Sequence, residues 1–106
     1  MYLSYSLIAS GASDGLIRLF DGRSMSLSAS VKAHEYHIKN LVKADTMLVS
    51  CAKDSLIKMW DIRNLSECVR SLQGHEGAVY DMAIDGSRLI SVALDGQLRL
   101  WDFHSL

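Results

Sequence analysis

Residues 50–61 read SCAKDSLIKMWD, and this stretch decides the fold. Leu48-Val49-Ser50 ends a short apolar run, Asp54-Ser55 follows as a turn, and Leu56-Ile57-Lys58-Met59-Trp60 is a second run of strand length. An aspartate and a small residue between two apolar runs signal a hairpin, because such residues accept the backbone angles of a tight turn. The second run carries apolar groups on both alternating faces. A strand of that kind expects cover on both faces of its sheet.

The same pattern recurs on either side. Residues 10–21 read SGASDGLIRLFD, 40 positions earlier, and residues 91–102 read SVALDGQLRLWD, 41 positions later. Each has Ser, three residues, Asp, a small residue, an alternating run, an aromatic and Asp. A second anchor keeps the period: Ala33-His34 and Gly74-His75 stand 41 apart, and each histidine precedes its tryptophan, Trp60 or Trp101, by 26 residues. Self-similarity at such a period marks a repeat architecture. Ala44-Asp45 and Asp85-Gly86 mark shorter turns between further strand-length runs. No segment sustains a 3.6-residue apolar stripe over the roughly 11 residues that define a helix. The expectation is all-β, with small antiparallel sheets stacked face to face.

Bulk composition narrows the function classes. The 106 residues are 49% hydrophobic, in the range of a folded domain, with eleven basic against twelve acidic side chains. A net charge of −1 gives no electrostatic footprint for nucleic acid or an anionic membrane. The first ten residues lack the basic start of a signal peptide, and no apolar run is long enough to span a membrane as a helix. Cys51 and Cys68 are too few for a disulfide framework, which favours a reducing, intracellular compartment, cytoplasmic or nuclear. Asn64-Leu65-Ser66 is formally a glycosylation triplet, and chance accounts for it.

A period near 40, a Gly-His-type dipeptide and a Trp-Asp-type ending resemble the WD40-repeat family of β-propellers, over nearly the whole chain. The resemblance implies a partial propeller of about two and a half to three four-stranded antiparallel blades, which is not a closed ring. It divides the chain at 1–32, a first repeat holding its second and third strands and the following outer strand; 33–73, a full repeat; and 74–106, a repeat without its outer strand. The implied strands are 6–10, 16–20 and 27–32, then 38–43, 47–51, 56–60 and 68–72, then 79–84, 88–92 and 97–101. An unclosed ring leaves an apolar blade face at each end. Further blades are therefore expected in cis or in trans, with missing sequence upstream.

The family resemblance also implies a side-chain network in each blade: His34, Ser50, Asp54 and Trp60, then His75, Ser91, Asp95 and Trp101. An imidazole can donate to a carboxylate and accept from a hydroxyl, and a buried indole N–H needs an acceptor. The first repeat has Phe20 for tryptophan and no histidine, leaving at best a Ser10–Asp14 pair. Ser, His and Asp together also suggest a hydrolase triad. A catalytic set would occur once, whereas this one recurs at the repeat period with a tryptophan attached, so no catalytic residue is assigned. His34 and His37 form an H-x-x-H pair without further ligands at metal-site spacing, and the glycines compose no phosphate loop. Neither a metal nor a cofactor is expected.

Partners of this family contact the narrow face of the propeller at three positions per blade: three and five residues after the histidine, and the residue before the turn aspartate. These are His37, Lys39 and Lys53 in the middle blade, Ala78, Tyr80 and Leu94 in the last, and Ser13 in the first. The resemblance thus implies a non-catalytic protein–protein interaction scaffold. Its partners would be proteins or peptides that carry an acidic group beside a hydrophobic one, with no direct nucleic-acid or membrane contact. The alternatives are part of a multidomain regulatory or nucleic-acid-associated protein, or an incomplete gene product without independent function.

Overall fold

The computed structural model describes the backbone of residues 2–4 and all of residues 7–103. Eleven strands form three antiparallel sheets in chain order. The first holds β1 (Tyr2–Ser4), β2 (Leu7–Gly11), β3 (Leu16–Asp21) and β4 (Ser26–Lys32). The second holds β5 (Ile38–Ala44), β6 (Met47–Ala52), β7 (Ile57–Asp61) and β8 (Asn64–Leu72). The third holds β9 (Val79–Asp85), β10 (Arg88–Ala93) and β11 (Leu98–Asp102). Each sheet is a meander, so every pairing is a local hairpin. This is the all-β, open blade architecture that the repeat implies.

Three details differ from the sequence expectation. A short strand, β1, pairs Tyr2 with Ile8 and Ser4 with Leu7, so the first sheet has four strands where three were expected. Its register breaks between Tyr2 and Ser4, and an irregular three-residue strand leaves little periodicity to read. β8 begins at Asn64, well before residue 68, because Asp61 pairs directly with Asn64 across a two-residue turn. The Asp61 carboxylate receives the Arg63 amide at 2.9 Å and the Arg63 guanidinium at 3.0 Å, which holds that turn. β7 and β11 each sit one residue later than expected, and β2 runs one residue further, to Gly11, while residue 6 of its expected span lies outside the described residues.

The turns between second and third strands share one device. The Asp14, Asp54 and Asp95 carboxylates each accept the amide two residues on, from Leu16, Leu56 and Gln97. The next residue, Gly15, Ser55 or Gly96, has a positive φ of 79°, 68° or 79°. At Gly15 glycine is obligatory, since a Cβ would stand 1.9 Å from the His34 carbonyl oxygen. That crowding is the joint between the first two sheets: the Gly15 carbonyl accepts the Ala33 and His34 amides, and the Ala12 carbonyl accepts that of Ile38.

Two apolar cores lie between the three sheets. Ala9, Ile17 and Leu19 of the first meet Ile38, Leu48, Trp60 and Leu65. Val49, Cys51, Ile57 and Met59 of the second meet Val79, Met82, Leu89 and Ala93 of the third. Along β6, Leu48 therefore points one way and Val49 the other, the period-two alternation of a strand covered on both sides.

Candidate interaction face and the network beneath it

Each sequence-assigned network assembles around a serine. In the middle sheet Trp60 Nε1 donates to Ser50 Oγ at 3.1 Å, and Ser50 Oγ lies 2.8 Å from His34 Nε2. His34 Nδ1 lies 2.9 Å from Asp54 Oδ2. The carboxylate can only accept, so Nδ1 carries the proton, Nε2 accepts from the serine hydroxyl, and the serine oxygen is left to accept from the indole. The hydroxyl has one proton, and the 2.8 Å contact to His34 takes it in preference to the Lys58 carbonyl at 3.5 Å. In the third sheet the distances are 2.9 Å from Trp101 to Ser91, 2.7 Å from Ser91 to His75 and 3.2 Å from His75 to Asp95.

Burial sets the electrostatics of these chains. His34 is held below the ordinary histidine value because desolvation disfavours the charged ring, against the pull of Asp54. Asp95 is held low chiefly by the Glu76 and Gln97 amides, with His75 contributing less. Burial pushes the Cys51 thiol up to about 12. Ser50 and Ser91 are fully buried. Each already accepts an indole N–H, so neither oxygen is presented to a substrate.

The first sheet departs from the pattern, and also from the expected Ser10–Asp14 pair. Asp14 is engaged by Arg18 at 2.7 Å and by the Leu16 amide, which hold its carboxyl below the usual carboxylate range. Arg18, four residues along the same hairpin, takes that carboxylate.

The loops above the networks carry the candidate contact residues. Ile38 pairs with Ala52 and Val79 with Ala93, so the loops 33–37 and 73–78 and the hairpin turns open on one edge of the stack. The Lys53 amide donates to the His37 carbonyl at 3.1 Å, which brings these two residues together. His37, Lys39, Lys53 and Ser13 are all exposed. The Leu94 amide donates to the Ala78 carbonyl at 2.9 Å, and Leu94 and Tyr80 project with 75% and 48% exposure. Ala78 itself is buried and offers little surface, because its short side chain packs under the loop while its carbonyl holds Leu94. His34 belongs to the buried network and His37 to the surface, so the H-x-x-H pair does not converge on a metal.

Two features of this edge escaped the sequence reading. Tyr36 is 57% exposed beside His37, and its position falls outside the three-per-blade mapping. Asn40 Nδ2 donates to Asp81 Oδ1 at 2.8 Å, joining the inner strands of the second and third sheets. These residues are 41 apart, one repeat period, and that coincidence was the available signal.

Antiparallel meanders stacked face to face, the second and third each stapled by a Trp–Ser–His–Asp chain, define consecutive blades of a propeller. Comparison with known proteins gives the family. The model of the WD domain, G-beta repeat, matches residues 25–61 and 66–102. The chain belongs to that family. The nuclear distribution proteins PAC1 of Fusarium vanettenii and Gibberella zeae are each 37% identical to it over 76 residues, 68% of this chain. These matches span only 17% and 16% of those relatives. Among solved structures, the computationally designed Ika8 and Ika4 proteins each superpose with a TM-score of 0.86. Ika8 is 31% identical over 96% of this chain and 32% of its own, and Ika4 is 32% identical over 95% and 62%.

Proposed function

We propose that this chain is a non-catalytic interaction module that presents its loop edge to protein or peptide partners. The observation that carries this reading is the pairing on one edge of two exposed apolar side chains, Tyr80 and Leu94, with a cationic sector of Lys39 and Lys53 beside His37. Leu94 is held out by a backbone hydrogen bond to Ala78 where a turn has no structural need for leucine. Among the described residues, neither lysine has a carboxylate within ion-pair distance. Glu35 and Glu76 share these loops, so the edge is mixed and selects by pattern rather than by bulk charge.

The ligand class this supports is an acidic peptide segment with an adjacent large apolar side chain. Tyrosine is a frequent anchor in such contacts, and rim charges tune encounter and selectivity. The buried serines and their filled hydrogen bonds support a structural role for the Ser-His-Asp sets. Unpaired Cys51 and Cys68 fit a reducing, intracellular setting. The shared repeats with the nuclear distribution proteins support the interaction class and leave the partner to these loops.

A panel of labelled peptides, each joining carboxylates to a leucine or phenylalanine, tests the reading by fluorescence polarisation. The Lys39→Glu/Lys53→Glu and Tyr80→Ala variants are expected to lose binding that the parent chain shows. Partners retained unchanged by both variants, in the panel and in pull-down, contradict it.

A further inference from the structure

The inner strands of the second and third sheets carry the same irregularity one repeat apart. In β5, Ile38 pairs with Ala52 and Asn40 with Cys51, so Lys39 is an extra residue without a partner. In β9, Val79 pairs with Ala93 and Asp81 with Val92, which leaves Tyr80 extra. A β-bulge of this kind bends its strand and re-aims the added side chain. The two residues turned out are the exposed Lys39 and Tyr80, one cationic and one apolar member of the loop edge.

The residue after each bulge is held by its own side chain. Asn40 Oδ1 accepts the Leu41 amide at 2.8 Å, and Asp81 Oδ1 accepts the Met82 amide at 2.9 Å. The two side chains then meet. Asn40 Nδ2 donates to that same Asp81 oxygen at 2.8 Å and, more weakly, to the Met82 carbonyl at 3.5 Å. Asparagine supplies the acceptor for one bond and the donor for the other, which an ionised aspartate at position 40 could not do. Among the described residues, the second and third sheets have no counterpart of the backbone bonds that the Gly15 and Ala12 carbonyls make across the first joint. The apolar core beneath is non-directional, whereas this hydrogen bond fixes one bulge against the other.

We infer, on the reading of the loop edge as an interaction surface, that Asn40 and Asp81 are a positioning pair. They set the spacing between Lys39 and Tyr80, and with it the separation of acidic and apolar groups that a bound peptide must have. Neither residue needs to touch the peptide. A ligand that reaches both contact points gains from their fixed separation, because less conformational freedom is lost on binding. A ligand that reaches only one gains nothing from it.

A series of fluorescein-labelled peptides tests this by fluorescence polarisation, each with Asp-Asp at one end, Leu at the other and a glycine linker lengthened one residue at a time. The parent is expected to prefer one linker length. Asn40→Asp keeps an acceptor for the Leu41 amide but sets two carboxylates against each other. It is expected to lower the ratio of preferred to other linkers by about fivefold or more. Asn40→Asp/Asp81→Asn is expected to restore that ratio, since the amide then donates from the third sheet. The swap retains the new carboxylate beside Lys39, so restoration separates geometry from charge. A purely structural role would weaken all linkers alike. A parent that binds without a linker preference, or an Asn40→Asp variant that keeps the parent's ratio, overturns the inference and leaves the interaction edge standing.

Amide hydrogen exchange reads the same bond without a ligand. The Met82 amide is expected to exchange faster in Asn40→Asp and at the parent rate in the swap. Unchanged Met82 exchange in Asn40→Asp overturns the inference. A parent that binds no peptide of the series sinks the reading of the edge, and the pair then stands or falls on exchange alone. If Asn40→Asp does not fold, Asp81→Ala breaks the same bond, with the linker ratio and the Leu41 amide as its reporters.

Discussion

Trp60 donates its indole N–H to Ser50 from ten residues along the chain, and both lie sealed between two sheets. Because Ser50 also serves His34, one hydroxyl satisfies two buried rings. A donor or acceptor left unpaired in such a place costs its full desolvation, about 1–3 kcal/mol.

Ser50→Ala strands both the Trp60 N–H and the His34 Nε2, and is expected to cost about 2–4 kcal/mol. Ser10 occupies the same register in the first sheet beside Phe20 and without a histidine, so Ser10→Ala is expected to cost under about 1 kcal/mol. Urea denaturation of the two variants checks the contrast, and equal costs would refute the shared-hydroxyl account.

Gly15 and Gly96 have the same φ of 79° in equivalent turns, but their surroundings differ. A Cβ on Gly15 strikes the His34 carbonyl, while one on Gly96 meets nothing within 4 Å. Gly96→Ala is expected to cost only left-handed backbone strain, about 1–2 kcal/mol. Gly15→Ala is expected to cost clearly more, because the joint between the first two sheets must open. Urea midpoints that fall equally would show the joint to be slack.

The depressed His34 value gives stability a defined pH dependence. The unfolded chain takes up this proton near pH 6.5, and the folded chain only at lower pH. Between the two values the unfolded state binds more protons, so stability is full above about pH 6.5 and is lost as pH falls through the folded value. The urea midpoint is expected to drop from about pH 7.5 to about pH 5, and His34→Gln, less stable throughout, to lose that part of the slope. A midpoint that rises on acidification has the wrong sign for a buried neutral imidazole.

Cys51 is buried with its thiol pushed up to about 12, whereas Cys68 is exposed on β8. A thiol-reactive dye near neutral pH is expected to label one cysteine in the native chain and two in denaturant. Peptide mapping should place the native label on Cys68. Rapid native labelling of Cys51 would mean that the core between the second and third sheets opens readily.

Most of the strand pattern was legible because each sheet is a meander of local hairpins. Asp54-Ser55 and Asp95-Gly96 announce turns whose geometry depends on their own side chains, as the amides of Leu56 and Gln97 show. The network partners were legible through the family resemblance, whose pattern each repeat carries within itself. Ser50 and Trp60 lie diagonally across one hairpin, two positions apart in register, and the repeat supplies the same relation again at Ser91 and Trp101. β1 was not legible, being three residues long and out of regular register. The burial of Ala78 and the exposure of Tyr36 were hidden too, since loop side chains answer to neighbours the local sequence does not name.

Sequence alone thus determined the period and the turns, and its family resemblance implied the two Trp–Ser–His–Asp chains, because all of these rest on contacts within one repeat. The tertiary structure decided which apolar faces are interior. Val49, Cys51, Ile57 and Met59 match Ile90, Val92, Leu98 and Leu100 in pattern, yet the first four are buried and the last four are not. Burial belongs to the pair of surfaces in contact rather than to either strand. A repeat can specify the same face three times, but only a neighbouring sheet can take it out of water.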